Sequence, residues 1–189
     1  MAAEMNWKDI SDYRETKDLL YITLGVLIVD VFVIFLSRYL PGLFGCALNA
    51  WYTEFGFMAV VADVGIIVIG FLIARYLYTK FFEKKYDWNP LVFVGLLILV
   101  QAIHDIIFYL GVIVPIPRGH NAMMDIFKDY SEGGAKILVG DSVLMVLSAI
   151  TAMILKGQED YSVGAIGISV LYAMSYILYT KPVGGVCVR

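Results

Sequence analysis

Charge is scarce in this chain. Of its 189 residues only 16% are Asp, Glu, Lys or Arg, where a soluble domain carries nearer a quarter. Cysteine is scarcer still: Cys46 and Cys187 are too few for a disulfide framework or a thiolate metal site. A basic face is missing too, since the net charge is -3, which excludes a nucleic-acid partner. There is no channel-filter TVGYG run, no His-Glu-x-x-His, no Gly-x-Ser-x-Gly and no Walker loop. Nothing in the pattern calls for a cofactor. No lysine lies inside an apolar block, which excludes a retinal Schiff base. Met1–Asp18 holds no short apolar run with a small-residue cleavage site, so the first apolar block is expected to be retained.

What is abundant is apolar mass: 60% of the residues are hydrophobic and the mean hydropathy is +0.79. It comes in long blocks. A membrane-crossing helix needs about 20 mostly apolar residues, because the helix rises about 1.5 Å per residue through about 30 Å of hydrocarbon. Five blocks meet that length: Leu19 to Leu40, Phe55 to Tyr78, Asn89-Pro90 to about Pro115, Lys136 to Leu155, and Tyr161 to Thr180. Barrel strands would be about half as long and alternate in polarity. The expected fold is therefore an all-α bundle of about five transmembrane helices, residues 19–181, in one domain. A polar interfacial segment (1–18) precedes it and a short tail (182–189) follows. Between the third and fourth blocks, Asn121 is placed to cap a short helix whose apolar side holds Met123, Met124, Ile126, Phe127 and Tyr130. That helix is expected to lie in the membrane interface.

The lipid bilayer is thus the first partner. Lys and Arg favour the cytoplasmic side. Lys8, Arg14, Lys17, Arg75, Lys80, Lys84, Lys85 and Lys156 fall on one side; Arg38, Arg118, Lys128, Lys136, Lys181 and Arg189 fall on the other. The majority puts the N-terminus inside and the C-terminus opposite. Cys46 and Cys187 then share the outer side, and two free thiols are the expectation.

Four acids break the apolar blocks: Asp30, Asp63, Asp105 and Asp141. A carboxylate deep in a bilayer costs at least about 2.5–3.5 kcal/mol. Counted from the block ends, all four lie in the same half of the membrane, roughly 7 to 15 Å below one surface. Gln101, His104 and Asp105 share one helix face, with Tyr109 a turn further on. Asp-His pairs suit proton relay, metal ligation or general base work. Ser142 beside Asp141 completes the expected polar cluster.

Two further patterns stand out. Thr53-Glu54-Phe55-Gly56 aligns with Ser131-Glu132-Gly133-Gly134, and in the same register Asp63 meets Asp141. The shared Glu-x-Gly-x6-Asp spacing suggests a duplicated two-helix unit behind a lead helix, a parallel repeat. Gln101–Ile106 then pairs more weakly with Tyr172–Ile177. In the last block Ala165, Ser169 and Ala173 form a small-xxx-small face suited to close helix packing, within the chain or in a homo-oligomer.

The Ile103-His104-Asp105-Ile106-Ile107-Phe108-Tyr109 and Gly140-Asp141-Ser142 segments resemble uncharacterised multi-spanning membrane proteins encoded by large DNA viruses of algae. The resemblance implies a virion or host-membrane protein and supplies no catalytic motif. Three readings of the acids stand side by side: a polar packing core, a cation or proton path, and a membrane enzyme acting on an apolar substrate. The first leads, because buried acids can hold helices together through hydroxyl and indole donors.

Overall fold

The structure, a computed structural model, describes residues 7–82 and 87–185. Those residues are helical throughout their ordered elements, with no strand among them. Four helices are long and apolar enough to cross a membrane: α1 (Asp18–Tyr39), α4 (Phe57–Phe81), α5 (Pro90–Phe108, continued by a π-helical turn, Tyr109–Ile113) and α7 (Ala135–Leu155). The shorter elements are α2 (Pro41–Phe44), α3 (Cys46–Phe55), α6 (Ala122–Ser131), α8 (Asp160–Ile177) and a 3-10 turn at Val183–Gly185. The fifth expected span corresponds to α8. At 18 residues it is not one of the four. Asp160 opens it, and Ser162, Gly164, Gly167, Ser169, Ser175 and three tyrosines dilute its apolar content.

Helix limits follow local chemistry. The side chain of Asn89 accepts from the amides of Leu91 and Val92, with Pro90 in the first turn. Asn121 accepts from Met123 and Met124 in the same way, and the expected short helix follows it as α6. Gly56 and Gly134 precede α4 and α7 with nearly the same left-handed backbone (φ 53, ψ -128 and φ 56, ψ -131), a conformation glycine adopts without a steric cost. Each glycine turns a short surface helix into a long one.

α1 is the central helix. Over half of its apolar window is buried (56%), against 17–28% for the other three spans. It packs on α4, α7 and α8. Its approach to α7 is close because Gly25 has no side chain: a Cβ there would meet the Ala152 amide nitrogen at 2.9 Å.

The two ends of the bundle differ. At the end where α1 begins, Ile22, Val26, Phe71, Phe93, Leu97, Met145, Ala149 and Ala152 form a continuous apolar core. The segment Trp7–Lys17, expected at the interface, folds across this end and buries Ile10 completely. Arg75, fully buried at the end of α4, donates to the carbonyls of Asp12 and Glu15 and pairs with Asp18 at 3.5 Å. Lys156 reaches the other Asp18 oxygen at 2.7 Å. Thr79 donates to the Ser11 carbonyl, and Trp88 donates to that of Trp7. The opposite end is capped by α3 and α6 over a second core that includes Ile34, Ala59, Val60, Ile126 and Met174.

Candidate functional site

The site is assembled where the cap formed by α3 and α6 meets the long helices. Sequence reading placed no helix between Pro41 and Gly56, yet α3 lies there with Trp51 and Tyr52 turned inward, 4% and 2% exposed. Consecutive residues on a helix point about 100° apart, so the two rings reach different partners. The Trp51 indole donates to Asp63 at 2.9 Å. The Tyr52 hydroxyl donates to Asp30 at 2.8 Å. Desolvation, and then the charges of Asp63 and Asp30, push the Tyr52 hydroxyl pKa well above its ordinary value, so it stays a donor.

Arg38 fixes α3 in place. It is 2% exposed. It donates to the Asn49 side chain (3.0 Å), to Thr53 (2.9 Å) and to the Leu178 carbonyl at the end of α8 (3.1 Å). The Asn49 amide in turn donates to the Ser37 carbonyl. A cation at the carbonyl end of a helix is favourably placed. Trp51 also stacks against Phe127 of α6 (centroids 4.8 Å apart), and Phe127 meets Phe108 of α5 edge-on.

On α5, Gln101 donates to Asp105 at 2.6 Å, and His104 Nδ1 lies 3.2 Å from the same carboxylate oxygen. The second Asp105 oxygen is buried without a hydrogen-bond partner among the described residues. The His104 ring stacks on Phe108. Asp141, half-buried on α7, feels the charges of Asp105 and Asp63. Above them Tyr130 hangs from α6. Desolvation pushes its pKa up, and Asp141, Asp63 and Asp105 add to the shift in that order. Asp63, Asp105 and Asp141 all act on Tyr130, whereas Asp30 is joined to Asp63 only through α3. Asp30 and Asp63 are bridged through α3; Asp105 and Asp141 are overlooked by Tyr130.

The remaining expected residues lie elsewhere. Ser142 donates to the Leu138 carbonyl on its own helix and borders an outward groove with Val143 and Val146. Tyr109, at the start of the π-helical turn, is 42% exposed. Ala165, Ser169 and Ala173 border a shallow groove between α1 and α8 with Phe32 and Phe35. α8 packs inward through Val163, Met174 and Leu178. Cys46 is disulfide-bonded, which corrects the expectation of two free thiols; Cys187 lies outside the described residues.

Sequence reading missed Trp51, Tyr52 and Tyr130 as site residues. One signal for two of them was present. The register that aligns Gly56 with Gly134 and Asp63 with Asp141 also aligns Tyr52 with Tyr130, giving Tyr-[Thr/Ser]-Glu-x-Gly-x6-Asp twice. The sequence match thus extends back from the long helices into the two cap helices.

Among the described residues, no group of three His, Cys, Asp or Glu side chains is placed to hold a metal ion. No protein-family model, curated protein or solved structure matches the chain. The fold and the four apolar helices define an all-helical membrane protein.

Proposed function

We propose that the acids form a polar packing core that docks the outer cap onto the membrane helices. The observation that carries this is the pair of hydrogen bonds from consecutive residues of α3, Trp51 to Asp63 and Tyr52 to Asp30. One short helix is thereby tied to two long ones. In a bilayer no solvent competes for these donors. Leaving a buried carboxylate without its donor costs about 1–3 kcal/mol. Trp51→Phe, Asp63→Asn and Asp30→Asn should each lower the melting temperature of the detergent-solubilised protein. Unchanged melting in all three would end the packing reading.

In this reading α8 is a fifth membrane helix. Its outward face carries Ile168, Leu171, Tyr172 and Tyr176, a surface suited to lipid, and its inward face packs on α1. The cap faces the oxidising side. The Cys46 disulfide fits that side, and the Lys/Arg majority puts the N-terminus in the cytoplasm. Glycosylation acceptors added at the two ends check both points together. Modification at the C-terminus alone is expected; the same outcome at both ends would mean an even number of spans.

A further inference from the structure

The end of the bundle where α1 begins carries a grouping of side chains that the acids do not involve, on the surface that faces lipid. On α4, Ile69, Leu72, Ile73, Tyr76 and Lys80 are spaced i, i+3, i+4, i+7 and i+11 and so share one helix face. That face is open: Ile69, Leu72, Ile73 and Tyr76 are between 41% and 49% exposed, and Lys80 is exposed as well. The opposite face, with Phe71, Ala74, Arg75 and Tyr78, is the one that is buried.

Lys80 stands at the head of this stripe. Its ammonium donates to the Tyr76 hydroxyl at 3.2 Å and lies 5.4 Å from the Tyr76 ring centre and 5.6 Å from that of Phe81. No acidic side chain pairs with it among the described residues. Arg14, Lys17 and Lys156, at the same end, are each met by an acid: Asp12, Asp160 and Asp18 in turn. An ammonium has three donors, so Lys80 keeps N–H groups to give. The Tyr76 hydroxyl, accepting from Lys80, keeps its own proton.

The N-terminal segment widens the patch. Ile10 is fully buried, and the Tyr13 amide donates to the Thr79 hydroxyl at 3.2 Å. These anchors set the Tyr13 ring edge-on against Tyr76, with centroids 5.5 Å apart. Tyr13 and Phe81 are 46% and 57% exposed. Such rings, each with an apolar body, are favoured at the headgroup level of a bilayer. The eleven steps from Lys80 to Ile69 cover about 16 Å at about 1.5 Å per residue. That is about half of the roughly 30 Å hydrocarbon core, the depth of one leaflet.

We propose that this face docks one anionic phospholipid of the leaflet at the end where α1 begins. The lipid phosphate accepts from the Lys80 ammonium and the Tyr76 hydroxyl. The Tyr13 and Phe81 rings border the headgroup, and an acyl chain lies along Ile73, Leu72 and Ile69. Charge complementarity selects the occupant: a zwitterionic headgroup brings a cation of its own and gains less from Lys80. The Lys/Arg majority puts this leaflet in the cytoplasm, where anionic lipids are concentrated. The site is at the opposite end of the bundle from the cap, and it stands whether or not the acids act as a packing core.

Native mass spectrometry of the full detergent-solubilised chain, titrated with phosphatidylglycerol or phosphatidylcholine, tests this. The wild type should bind phosphatidylglycerol more tightly. Lys80→Gln should weaken that binding about fivefold, the worth of one lysine beside an anionic surface, and leave phosphatidylcholine binding unchanged. Lys80→Arg should retain the preference. Lys8→Gln, which removes another exposed cation at the same end, should leave it intact. Equal binding of the two lipids by the wild type overturns the proposal. So does a preference that survives in Lys80→Gln, or one lost equally in Lys8→Gln, which would make the attraction diffuse. Glycerol phosphate carries the charge without the chains and should not displace the lipid; displacement at a matching concentration would reduce the site to an anion contact and sink the lipid reading.

Discussion

Single side chains set most of the energetics at Tyr52, Arg38, Asp18 and Gly25. Tyr52→Phe keeps the ring in its buried place and removes only the hydroxyl donor, so it isolates one hydrogen bond. It should cost about 1–3 kcal/mol, the range for leaving a buried acceptor unmet, read as a lower unfolding midpoint in denaturant. Asp18→Asn strips Arg75 and Lys156 of their shared carboxylate at the inner end. Breaking a buried pair by removing one partner costs about 3–5 kcal/mol, so this variant should be the least stable of the acid substitutions. Gly25→Ala pushes a Cβ into α7 backbone, whereas Gly70→Ala meets only the flexible tip of Met145 at 3.1 Å. The first should destabilise by about 1–3 kcal/mol, the usual cost of overpacking, and the second much less; equal effects would argue against the α1–α7 crossing. At this scale the sequence was readable where a residue acts on its own backbone neighbours. Asn89 and Asn121 cap as expected because the bonded amides are two and three residues away. The acids were readable because charge in an apolar block is costly. Ser142 was misplaced because it follows Asp141 directly, and neighbours on a helix do not share a face.

Elements carry a different lesson. α3 was invisible in the sequence: at ten residues it is too short to announce itself, and proline and glycine bracket it. Its inward pair, Trp51 and Tyr52, reads equally well as an interfacial anchor, since each ring has an apolar body and a polar tip. Tyr109 shows a second limit. Spacing from Asp105 puts it on the Asp105 face of an ideal helix, but the π-helical turn that begins there changes the register. The cap helices should respond differently to pH. α3 is tied by Arg38, Trp51, Tyr52 and the Cys46 disulfide, whereas α6 meets the acids through Tyr130 alone. A proton held in the fold and released on unfolding gives stability that is present at low pH and lost as pH rises. Protection of the α6 amides, measured against the intrinsic base-catalysed rate, should therefore fall on going from mildly acidic to alkaline pH, with α3 changing less. Equal responses would separate α6 from the acids.

The whole molecule divides along the membrane normal. The half under α3 and α6 holds the buried acids, and the opposite half is closed by a continuous apolar core and then by Trp7–Lys17 with the Arg75–Asp18–Lys156 network. A path for ions would have to breach that core. Vesicles containing the protein should therefore show no cation flux above protein-free vesicles; robust flux would require an inner-half opening in another conformation. The sequence placed Asp30, Asp63, Asp105 and Asp141 toward one end of their helices by helix rise alone, and Asp30 and Asp63 are the pair that α3 bonds. The closure of the opposite end was not legible, because the buried ion pairs join Asp18, Arg75 and Lys156 across the full length of the chain.

The matched glycines before α4 and α7 leave a broader mark. Both make the same turn from a cap helix into a long one, and Tyr52 beside the first bonds an acid where Tyr130 beside the second bonds none among the described residues. A copied framework can let one half carry the burden of folding while the other is free to change. In a saturation library selected for folded expression, tolerance should be low around Asp30, Tyr52 and Asp63 and high around Asp105, Tyr130 and Asp141; equal tolerance on the two sides would refute the difference in their bonding.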